Sequence, residues 1–128
     1  MCVGLLGVAL LSAGCARVPV VNLFLAGDKD VTYRDTKGCV PFKLKRVLNH
    51  TSRKFGKVTV VSTKREPGEN RRKGGARNSY HLSCQAVDFQ VRGDRKKIER
   101  FLKSYEAVGG YKSYLNHFHI DTGPRRTW

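Results

Sequence analysis

Three of the chain's four histidines fall in two short stretches that also carry other metal-binding side chains. The first reads Ser79-Tyr80-His81-Leu82-Ser83-Cys84-Gln85-Ala86-Val87-Asp88, the second His117-Phe118-His119-Ile120-Asp121. On an extended strand successive side chains alternate, so His117, His119 and Asp121 project from one face. Asp88 projects from the polar face of its own strand. A catalytic zinc takes three protein ligands and keeps a fourth position open for water, and two histidines with one carboxylate from these residues meet that need. A set of His81, Cys84, His117 and His119 would instead close the coordination sphere and make a structural site, but it leaves Asp88 and Cys39 without a role.

The elements that must position these residues are legible around them. Residues 16–38 show no period and read as a tether and lead-in, with a short strand expected at Val20 to Leu25. Pro41 suits a first helical turn, Leu44, Val47, Leu48 and Phe55 share a face, and Gly56 is placed to end a helix over Pro41 to Phe55. The β-branched run Val58 to Ser62 predicts a strand. Thr63 to Ser79 is polar, basic and glycine-containing, a long loop of the kind that is functional or mobile. Gln85 to Val91 alternates, with Val87, Phe89 and Val91 on one face and Ala86, Asp88 and Gln90 on the other. Asp94 is an N-cap for a second helix bearing Ile98, Phe101, Leu102 and Tyr105. Gly109-Gly110 breaks the chain, and Tyr111 to Leu115 and His117 to Asp121 form a terminal pair of strands. Helices and antiparallel strands mix without regular alternation, which is the α+β pattern.

Ser79-x-His81-x-x-Cys84-x-Ala86-x-Asp88 resembles the Ser-x-His-x-x-Gly-x-Ala-x-Asp motif of the zinc D-alanyl-D-alanine carboxypeptidases and murein endopeptidases. His117-x-His119 resembles their second motif. Gly74-Gly75-Ala76-Arg77-Asn78, the ending Phe118-His119-Ile120-Asp121-Thr122-Gly123-Pro124, and Arg126 and Trp128 are most similar to the YcbK-like branch. The resemblance covers roughly residues 38 to 128 and implies a Hedgehog/DD-peptidase-like fold, a small mixed or antiparallel sheet packed with two main helices. It implies zinc held by His81, Asp88 and His119. It also implies that Arg65, in Ser62-Thr63-Lys64-Arg65-Glu66-Pro67, stabilises the oxyanion, a task suited to a fixed cation. Two departures stand out. Cys84 replaces the motif glycine, and Asn116 stands where many relatives carry the acid that serves as general base. His117 is the best substitute, being on the same strand face and having an ordinary pKa near neutrality, with Asp121 second. Either of the two is otherwise a partner that orients a ligand.

Twenty-five Lys and Arg against ten Asp and Glu give a formal net charge of +15, so the surface attracts polyanions. Val3 to Ala13 is uncharged and apolar, too short to span a bilayer but suited to the core of a secretory signal. It runs into Leu11-Ser12-Ala13-Gly14-Cys15, which resembles a lipoprotein lipobox, although Ser12 stands where Leu is commoner and no Lys or Arg precedes the run. The expected organisation is therefore a signal over 1–15 with Cys15 a lipid site, a tether over 16–37, and a zinc peptidase domain over 38–128. Export to the periplasm, with a possible outer-membrane anchor through Cys15, leaves Cys39 and Cys84 as two cysteines in an oxidising compartment, which suggests a disulfide. The YcbK-like resemblance favours the same pair. It would contribute about 3–4 kcal/mol on a loop-entropy basis.

The function these features imply is metal-assisted hydrolysis of an amide in a peptidoglycan stem peptide that contains D-alanine and a diamino acid. Cleavage of a crosslink (endopeptidase) leads, with removal of a terminal residue (carboxypeptidase) as the alternative. The basic surface fits an anionic cell envelope, and a monomer is expected. A catalytically silent zinc module that binds cell wall is the competing class, and Asn116 is its best support. Nucleic-acid binding is disfavoured by the export signal and by the lack of a helix bearing base-reading side chains.

Overall fold

The computed structural model describes residues 30–34 and 38–128. The expected signal, Cys15 and the strand at Val20 to Leu25 lie outside them. In chain order the elements are β1 (Val31–Tyr33), α1 (Phe42–Phe55), β2 (Val58–Ser62), α2 (Pro67–Arg72), a 3₁₀ turn over Tyr80–Ser83, β3 (Ala86–Val91), α3 (Arg95–Lys103), β4 (Gly110–Ser113), β5 (Phe118–Asp121) and β6 (Arg126–Thr127). The strands form one sheet in the order β1-β2-β3-β5-β4-β6. Its outer pairs, β1 with β2 and β4 with β6, are parallel, and the inner pairs are antiparallel. The α+β expectation, a mixed sheet with two main helices, is the observed architecture.

The apolar stripe of α1 produces the packing. Leu44, Val47 and Leu48 are fully buried, and Gly56, at φ 94°, ends the helix with its N–H on the Ser52 carbonyl (2.8 Å). In α3 the Asp94 carboxylate accepts from the Lys97 amide (3.1 Å), and Ile98 and Leu102 turn inward. Phe101 meets Phe55 edge-on at 5.3 Å, so the two helices lock together. They cover one face of the sheet, where Val58, Val60, Val87, Phe89, Tyr111, Phe118 and Ile120 complete the core. Burial of each such side chain stabilises by about 1.5–3 kcal/mol.

Three elements differ from the sequence reading. Residues 31–33 fall within the expected tether, yet they form β1, whose Arg34 amide continues the pairing onto the Val60 carbonyl (2.9 Å). Three residues are too few for a periodicity to register. The loop after β2 contains α2, which Pro67 starts at its first turn and an ion pair from Glu69 to Lys73 (2.9 Å) supports. β6 is two residues long and pairs beside Gly110, so its hydrogen bonds with β4 define it rather than any pattern of its own.

Candidate metal centre

The face of the sheet away from the helices carries the site. On β3, Asp88 lies between the core residues Val87 and Phe89 and points the other way. Antiparallel pairing puts Asp88 opposite His119 and Ala86 opposite Asp121, so β5 delivers His119 and Asp121 to the same side. A bulge between Val60 and Ser62 shifts the register of β2, bringing Ser62 opposite Asp88. His81 comes from the 3₁₀ turn that Ser79 caps, its hydroxyl accepting from the His81 amide (3.3 Å).

These residues converge. His81 Nε2 is 3.2 Å from Asp88 Oδ1 and 3.2 Å from His119 Nδ1, and His119 Nδ1 is 2.8 Å from Asp88 Oδ1. The other ring nitrogens fix the tautomers. His81 Nδ1 faces the Thr63 carbonyl at 2.5 Å and His119 Nε2 faces Asp121 Oδ2 at 3.1 Å, and an oxygen of either kind can only accept. Both protons therefore point outward. Two imidazole lone pairs and a carboxylate oxygen are left facing one another, with no donor among them. Only a cation at the centre, proton or metal, satisfies all three. Donors about 2.0–2.1 Å from a tetrahedral zinc lie roughly 3.3–3.4 Å apart, close to the separations found. The donor set fits the ion.

A second ring of contacts holds the donors. Asp88 Oδ2 makes a short ion pair with Arg65 Nη2, whose Nε donates to Ser62 Oγ (2.9 Å). Asp121, fully buried, accepts from the Gly110 amide (3.0 Å), the Gly123 amide (2.8 Å) and Arg126, whose Nη2 is 2.7 Å from Oδ2. A side chain at Gly110 would run into that carboxylate. Burial pushes the Asp121 carboxyl up, but the bonds from His119, the two amides and Arg126 outweigh it and hold the pKa at about 2. Burial likewise opposes ionisation of Asp88, and His119 and His81 keep it well below the usual carboxylate range. For His119, burial works against a charge, while Asp121 and Asp88 raise the pKa above the ordinary imidazole value.

The structure thus brings together His81, Asp88 and His119, with Arg65 against Asp88. His117 lines the same cleft, stacked on Tyr114 at 4.5 Å, and its Nδ1 donates to Asn116 Oδ1 (2.7 Å). Burial lowers its pKa, although Asp88 pulls the other way. Asp121, the second choice for a base, has its oxygens engaged by four partners, the His119 ring among them. Cys84 is bonded to Cys39, with Cα atoms 5.5 Å apart, and is no part of the donor set. It adopts the left-handed conformation (φ 59°), which accounts for a glycine at this place in the motif it resembles. Arg126 had no role in the sequence reading beyond its place in a motif. A turn at Gly123-Pro124 is expected from the residues themselves, but the link from Arg126 to Asp121 that it allows is not.

A profile of the peptidase M15 family matches residues 26–121. The probable peptidoglycan L,D-endopeptidase MepK of Haemophilus influenzae is 41% identical over 58 residues, which is 44% of this chain and 31% of that protein. The peptidoglycan L,D-endopeptidase MepK of Escherichia coli K12 is 43% identical over 60 residues, 45% of this chain and 33% of that protein. The chain thus spans about a third of the length of these relatives. The family match runs from ahead of β1 to the last residue of β5 and takes in every strand and turn that supplies a donor, so the chain belongs to the peptidase M15 family.

Proposed function

We propose that this protein is a zinc-dependent murein endopeptidase that hydrolyses crosslinks between peptidoglycan stem peptides. One observation carries the reading: one ring nitrogen each of His81 and His119 and a carboxylate oxygen of Asp88 converge within 3.2 Å of one another in a cleft of about 1000 Å³. When bound there, zinc supplies Lewis acidity, acidifying water and polarising a carbonyl. The names of the relatives favour an amide between an L and a D residue.

The chain's own residues supply the rest. His117, with its Nδ1 proton committed to Asn116, keeps the Nε2 lone pair to take a proton from the attacking water. Arg65, fixed on the cleft wall by Ser62 and Asp88, carries positive charge toward the carbonyl oxygen as it becomes negative. Export rests on the apolar run at 3–13, with Cys15 as the lipid anchor. The net charge of +15 holds a monomeric enzyme on an anionic wall.

Digestion of purified peptidoglycan by zinc-loaded protein, with mass analysis of the fragments, tests the reading. Crosslinked dimers are expected to fall to monomers. His81→Ala is expected to lose zinc and activity together. His117→Ala keeps its zinc and loses roughly 10²–10⁴-fold in turnover, the range for general acid–base catalysis. Asn116→Asp restores part of that loss. Cleavage by His81→Ala at the wild-type rate would overturn the reading, and near wild-type turnover by His117→Ala would remove that residue from it.

A further inference from the structure

Four basic side chains line the cleft: Arg65, Lys73, Lys112 and Arg126. Three are already paired, Arg65 with Asp88, Lys73 with Glu69 and Arg126 with Asp121. Lys112 alone among them has no carboxylate partner among the described residues. Both carboxylates lining the cleft, Asp88 and Asp121, are engaged by the donor histidines and the two arginines. The cleft therefore offers one half-buried lysine that no carboxylate among the described residues neutralises.

Lys112 is also close to the chemistry. It pairs across the ladder with His119, so its Cβ stands over the same face as a metal donor, about 4.5–5.5 Å from that of His119. Its ammonium is close to two rings. It lies 5.0 Å from the centre of the Tyr114 ring and 5.9 Å from that of Trp128, between two cleft-lining aromatics that hold a cation in place without satisfying its hydrogen bonds.

We propose that Lys112 is a specificity-determining residue that binds a carboxylate of the substrate peptide within a residue or two of the scissile amide. The proposal rests on the peptidase reading above. It adds that the substrate class is an anionic peptide, whose charge is read beside the metal centre. The carboxylate has two possible sources with the same chemistry, the side chain of a diamino diacid or the peptide's C-terminus.

The test uses the zinc-loaded protein and synthetic stem peptides corresponding to cleavage products, so that binding is measured without turnover. One peptide is unmodified, one has its side-chain carboxylate amidated, and one has its C-terminus amidated. Calorimetry is expected to show that one amidation weakens binding by roughly 10-fold, the worth of a charge-assisted hydrogen bond. Which amide does so identifies the carboxylate. Lys112→Gln should erase that difference and Lys112→Arg should restore it, with zinc content equal in all three proteins. Equal binding of all peptides by the wild type, persistence of the preference in Lys112→Gln, or no measurable binding at all would each overturn the proposal. Cleavage of a crosslinked dimer is followed in parallel. Cleavage without Lys112-dependent discrimination sinks this inference and spares the peptidase reading. Discrimination without cleavage sinks the peptidase reading and with it the placement beside a scissile amide, leaving Lys112 only as a carboxylate-binding residue.

Discussion

The two faces of β3 and β5 are built from interleaved residues and ordered by different forces. Val87, Phe89, Phe118 and Ile120 face the helices, and dispersion and burial hold them. Asp88, His119 and Asp121 alternate with them, and hydrogen bonds and ion pairs to Arg65, Arg126 and the Gly110 and Gly123 amides hold them on the cleft side. The packed face fixes where the backbone runs. The polar face uses that rigidity to keep donor atoms at set separations. Volume governs tolerance on one side, and the positions of single atoms govern it on the other.

Substitutions can separate these two kinds of order. Phe89→Ala, on the packed face, is expected to cost about 3–5 kcal/mol in denaturant unfolding while the folded fraction still takes up one zinc. Loss of zinc stoichiometry in folded Phe89→Ala would show that the faces are not separable. Removing the Cys39–Cys84 bridge by Cys39→Ser should cost about 2–5 kcal/mol under oxidising conditions. Arg126→Ala, on the polar face, should weaken zinc affinity by roughly 10–100-fold through the Asp121–His119 chain, with a much smaller change in unfolding of the metal-free protein. An unchanged zinc affinity would demote Arg126 to a surface residue. The smallest effect concerns backbone alone: in the Cys39→Ser background, Cys84→Gly should be more stable than Cys84→Ser by about 1 kcal/mol, because residue 84 is left-handed.

Much of this was legible in the residues, for physical reasons. α1 carries a strong period bounded by Pro41 and Gly56, and β2 is a run of β-branched residues. β3 shows its two faces by alternation, so Asp88 could be separated from Val87 and Phe89 before any fold was known. The donors His81, Asp88 and His119 were named by resemblance to a family motif. Spacing alone also allowed a cysteine-containing set, which the bridge to Cys39 excludes. The less legible features depend on tertiary contact. β1 and β6 exist through their partners, α2 lay hidden in a polar stretch, and the contacts of Asp121 with Gly110, Gly123 and Arg126 form only in the fold. Gly109-Gly110 read as a chain break. Gly110 in fact begins a strand, and its missing side chain makes room for a carboxylate.

The bridge also bears on which metal-binding atoms compete during maturation. Cys84 follows His81 by three residues, and as a free thiolate in a chain not yet fully folded it would be a softer ligand than any imidazole or carboxylate. Bonded to Cys39, it is out of that competition. A chain loaded with zinc while still reduced is expected to trap the ion in a thiolate-bound state, visible as a charge-transfer band when cobalt is substituted. The same chain loaded after oxidation offers only nitrogen and oxygen. If the two loadings give the same spectrum, the bridge has no bearing on which atoms take the metal.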